Sequence, residues 1–111
     1  MPCFGAQPPE EFGVLALDTR NGLKRLKVVS TGDLKGLLVH PREVFREAAI
    51  LRAAAIIAFR NHPSGDPSPS REDRELTSRL QRAGVIMGIE LLDHVIVTAD
   101  QLFSFRERGS L

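Results

Sequence analysis

Tryptophan and tyrosine are absent from this 111-residue sequence, and cysteine occurs once, as Cys3. A single cysteine excludes a disulfide framework and fits a reducing cytosol. Without Tyr and Trp, the core has to come from Leu, Ile, Val, Ala and six Phe; at 42% hydrophobic residues that is enough for one modest domain. No apolar run approaches the roughly 20 residues needed to cross a bilayer. The start, MPCFGAQPPEEF, has neither the cationic nor the apolar region of a signal peptide, so a cytoplasmic protein with no membrane partner is expected. Excess charge of one sign is also missing. Fifteen basic residues, mostly Arg, face 14 acidic ones for a formal net charge of +1, a balance that argues neither for nor against a nucleic-acid partner.

What is present reads as one domain over 11–111 behind a flexible lead-in, 1–10, rich in proline. FGVLALD (12–18) is a buried strand and LKRLKVVS (23–30) its return, joined through Asn21-Gly22, a strong hairpin signal. Thr31-Gly32-Asp33 is expected to turn the chain. PREVFREAAILRAA (41–54) reads as a helix, with Pro41 at its first position and Glu43 in its first turn. AAIIAF (54–59) is a central strand. Ser70 opens a second helix over 71–83, with Leu76, Leu80 and Ala83 as its apolar stripe and Gly84 to close it. IELLDHVIV (89–97) is another buried strand, and QLFSF (101–105) an edge strand able to pair with another chain. The order β-β-α-β-α-β-β predicts an α/β (α+β) sandwich, a mixed central sheet with helices packed on its faces.

Chemistry concentrates in FRNHPSGDPSPSRED (59–73). Side chains two apart on an extended strand end point the same way, so positions 60 and 62 share one site. Asp73, in the first turn of the second helix, can fold back to meet His62. Imidazole and carboxylate suit zinc. Glu11, at the mouth of the first strand, is the candidate base for a metal-bound water, and Ser70 the candidate donor to an oxyanion. Ser70 and Asp73 also have the spacing of a capping box, and His94, in an apolar strand, reads either as a buried, hydrogen-bonded histidine or as a residue supporting the site from behind.

Four blocks, EEFGVLALDTRNGL, VHPREVFREAA, NHPSGDPSPSRED and LLDHVIV, resemble in order the RadC family within the JAB/MPN (JAMM) superfamily of zinc-dependent isopeptidases. The resemblance implies a cytidine-deaminase-like sandwich and zinc-dependent hydrolysis of peptide or isopeptide bonds. It implies Glu11 and Ser70 as catalytic residues and His62 and Asp73 as zinc ligands. The motif's first histidine falls on Arg60, which has no lone pair to offer a metal. Either the guanidinium fills the metal's place against Asp73 or Glu11, or zinc binds through His62, Asp73 and water. RadC-like chains commonly carry a DNA-associated helix-hairpin-helix before this domain, and only ten residues precede Glu11 here.

Three functions follow. The first is a zinc hydrolase acting on a peptide or protein. The second is a module that keeps the fold and binds a peptide, a protein or an anion without hydrolysis, the expectation favoured by Arg60. The third, carried by the family name alone, is binding to single-stranded or damaged DNA. A homo-oligomer is compatible with all three.

Overall fold

The computed structural model describes residues 10–32 and 39–111. Nearly all of the lead-in, with Cys3, and Asp33 of the expected turn lie outside them. Five strands form one mixed sheet in the order β2-β1-β3-β4-β5. They are β1 (Glu10–Leu17), β2 (Leu23–Gly32), β3 (Ala55–Asn61), β4 (Glu90–Val97) and β5 (Leu102–Ser104). β1 runs antiparallel to both β2 and β3, β3 runs parallel to β4, and β5 closes the far edge antiparallel to β4. Helices α1 (Pro41–Ile50) and α2 (Arg71–Met87) are the two helices among the described residues. Among the described residues no helix is long and apolar enough to cross a membrane.

The hairpin forms for local reasons. Asn21 takes the left-handed conformation at φ 62°, and the Asp18 carboxylate accepts the N–H groups of Arg20 and Gly22 at 2.8 Å each. Strand β2 continues to Gly32 rather than turning at Thr31, because both residues still pair with β1.

Two helix ends differ from the sequence reading. α1 stops at Ile50, four residues early, in a Schellman turn: Ala53 N–H bonds the Ala48 carbonyl and Arg52 N–H that of Ala49. Arg52 occupies the left-handed position at φ 54°, normally a glycine's place, so nothing in the sequence marked the stop. α2 runs through Gly84 to Met87, and Gly88 at φ 72° closes it. Gly84 has a packing role instead. A Cβ there would sit 2.5 Å from the Ile89 carbonyl oxygen.

Alternation along the strands sends Phe12, Val14, Ala16, Ile56, Ala58 and Leu91 to one side, where they form the core with Val44, Phe45 and Ala48 of α1 and Leu76 and Leu80 of α2. Both helices therefore lie on the same face of the sheet. The crossover from β3 through α2 to β4 brings the carboxyl end of β3 beside the amino end of α2.

Candidate functional site

Arg60 is the last of three residues (56, 58, 60) that β3 points at the helices, and its side chain is only 7% exposed. A buried guanidinium needs compensation. Asp73 supplies it: Oδ1 lies 3.1 Å from Arg60 Nη1, off the hydrogen-bonding direction, so the contact works as charge attraction. Glu10 Oε1 approaches the same nitrogen at 3.4 Å, and the guanidinium lies 5.5 Å from the centre of the Phe12 ring.

Asp73 has no solvent exposure. It is the third residue of α2 and completes a capping box: its Oδ2 accepts the Ser70 N–H at 2.8 Å, and Ser70 Oγ accepts the Asp73 N–H at 3.1 Å. The cap locks the carboxylate in place, with Oδ2 also 3.2 Å from His62 Nε2. His62 Nδ1 lies 3.1 Å from the Asp66 carbonyl oxygen, to which it donates. That bond aims Nε2 at Asp73, the way a second bond orients a metal-binding histidine. Asp66 itself shapes the loop. Its carboxylate accepts the Ser68 N–H at 2.9 Å, which holds its pKa below the ordinary value.

Behind Asp73 runs a second layer of contacts. The Thr77 hydroxyl donates to the Asp73 carbonyl at 2.7 Å and lies 2.6 Å from His94 Nδ1. A hydroxyl has one proton, so here Nδ1–H of His94 is the donor. The His94 ring is fully buried, stacked on Phe105 at 4.9 Å and edge-on to Phe12 at 5.7 Å. Burial, outweighing the pull of Asp73, drives its pKa down to about 4.

The structure thus brings Arg60, His62, Asp73 and, through the cap, Ser70 together, with His94 reached through Thr77. It brings Glu10 rather than Glu11. Glu10, Phe12 and Arg60 share the helix-facing side by strand alternation and register, whereas Glu11 falls on the opposite parity. The Glu11 backbone N–H bonds Asn61 Oδ1. Period-two counting back from Phe12 would have selected Glu10. Thr77 was missed as well, although a polar residue one turn after Asp73 inside an apolar stripe is a readable signal.

The zinc that the resemblance implies does not fit these residues. Its surroundings offer His62 and Asp73, and the space against Asp73 Oδ1 and Glu10 is taken by a fixed cation. Among the described residues no three His, Cys, Asp or Glu side chains gather to hold a metal. What remains is a rim in which Arg60 stands between two carboxylates.

A family model described as the RadC-like JAB domain matches residues 1–110. The chain belongs to that family. It is 53% identical over 102 residues to UPF0758 protein STH371 of Symbiobacterium thermophilum, and 53% over 102 to a UPF0758 protein of Trichlorobacter lovleyi. It is 51% identical over 100 residues to UPF0758 protein ABC2615 of Shouchella clausii. Each match takes in 90–92% of this chain and 44% of the relative, so the chain spans less than half the length of these proteins. A RadC-like JAB domain accounts for the order of the strands and for the His62-Pro63 corner between β3 and α2.

Proposed function

We propose that this RadC-like JAB domain has exchanged the family's metal for the Arg60 guanidinium and works by binding a peptide or protein partner rather than by hydrolysis. One observation supports the reading above the others: Arg60 Nη1 stands 3.1 Å from Asp73 Oδ1 and 3.4 Å from Glu10 Oε1, between the carboxylates a cation would join. A guanidinium there offsets part of their charge and supplies neither a Lewis acid nor an activated water. The names of the chain's relatives specify no reaction, and their longer chains leave partners of the whole protein open.

Elemental analysis of the native protein beside an Arg60→His variant tests this. The variant is expected to hold about one zinc per chain, completing a three-ligand site, and the native protein none. Native protein that holds zinc stoichiometrically overturns the reading. A peptidase assay with Glu10→Gln as control then becomes the next step, and the domain is a hydrolase that tolerates arginine beside its metal.

A further inference from the structure

We propose that the face of the sheet turned away from both helices is a homodimer interface, on which two copies of this chain stack sheet to sheet. Alternation sends Leu15, Ile57, Phe59 and Val95 to that side, in register from strand to strand. Leu26 of β2 and Leu102 of β5 extend the surface to both edges, at 53% and 57% exposure. The tip of the Phe59 ring sits over Gly13, where a Cβ would clash with Cζ, so the missing side chain leaves room for the ring. None of the described elements covers this side: α1 and α2 pack on the other, and the last residue, Leu111, packs there too.

Size and charge select the occupant. Five strands about 4.8 Å apart, averaging about seven residues in length at about 3.3 Å per residue, make a face of roughly 500 Å² per copy. Two copies would bury about 1,000 Å², the size of a weak, reversible interface rather than a permanent one. The middle of the patch is aliphatic and aromatic. Glu11 stands at the strand ends, and the Asp93 carboxylate is already engaged by the Ser104 hydroxyl and the N–H groups of His94 and Arg106. A surface with no free charge at its centre suits its own copy, and a two-fold axis lets like pack on like. Pairing edge to edge is the rival arrangement, and the sequence opposes it. β2 exposes Lys24, Arg25 and Lys27, which an antiparallel copy of itself would set against one another, and β5 is only three residues long.

Sedimentation equilibrium of the full chain tests the proposal. A species of twice the 12.2 kDa chain mass is expected, dissociating reversibly on dilution. Ile57→Lys, at the centre, should weaken the dimer by about a hundredfold or more, and Leu26→Glu, at the rim, by about tenfold. Ile86→Glu, on an exposed position of α2 far from the face, should leave it unchanged. Far-ultraviolet circular dichroism confirms that each variant is folded, and Leu26→Glu decides the matter if Ile57→Lys is not. A chain that stays monomeric up to about 1 mM overturns the proposal, as does a dimer indifferent to the folded face variants or one dissociated by Ile86→Glu.

Discussion

Arg60 and Asp73 make each other tolerable in the interior. Arg60→Met removes the cation and leaves Asp73, which has no exposure, with its charge uncompensated on one side. Breaking a buried pair in this way costs about 3–5 kcal/mol, read as a fall in the denaturant midpoint. Arg60→His is milder, because imidazole can still carry a charge toward Asp73. His94 makes a second residue-level prediction, with a definite sign. Its folded pKa is about 4 against an ordinary 6.5, because burial disfavours the charged ring. Between those values the unfolded chain binds the proton and the folded chain does not. His94 therefore contributes stability that is fully present above about pH 6.5, is lost as pH falls through the window, and levels off below about 4; the loss amounts to about 3 kcal/mol. Thermal unfolding followed from pH 7 to pH 4 should show that slope, and His94→Leu should flatten it. Thr77→Val should cost about 2 kcal/mol, since it strands the buried Nδ1–H of His94 without an acceptor.

At the level of elements, the two helix ends are opposite experiments on glycine. Arg52→Gly relieves a left-handed residue in the Schellman turn and should raise stability by about 1 kcal/mol. Gly84→Ala drives a methyl group into the Ile89 carbonyl and should lower it by about 1–3 kcal/mol. Equilibrium unfolding in urea reads both. These positions also mark where the sequence was legible and where it was not. Strand and helix order, the Asn21 turn and the Ser70 cap could be read directly, since each rests on short-range patterns that tertiary contacts left alone. The end of α1 could not, because the chain places arginine where the turn favours glycine. Gly84 was mistaken for a stop because composition does not distinguish a glycine that turns the chain from one that admits a neighbour's backbone. At the site, the pairing of positions 60 and 62 followed from strand geometry. Choosing between Glu10 and Glu11 turned on the same strand geometry, since Glu10 shares the parity of the buried Phe12 and Glu11 does not.

For the whole molecule, the described helices seal one face of the sheet and none of the described elements covers the other, so stability should depend on protein concentration. A partner copy that binds only the folded chain raises the melting temperature by mass action, so tenfold concentration above the dissociation constant should shift it upward by a few degrees. Ile57→Lys should melt at one temperature whatever its concentration. The Arg60 site carries the opposite kind of dependence. A metal-bound site has an apo form, and its fold is hostage to the supply of free ion. On the reading proposed above, this domain's cation is the Arg60 side chain, tethered covalently to the chain at an effective concentration that dilution does not lower. Nothing can strip it. EDTA, or a rival divalent ion, should leave the melting temperature where it was, so the rim between β3 and α2 would keep its shape in a cell starved of zinc.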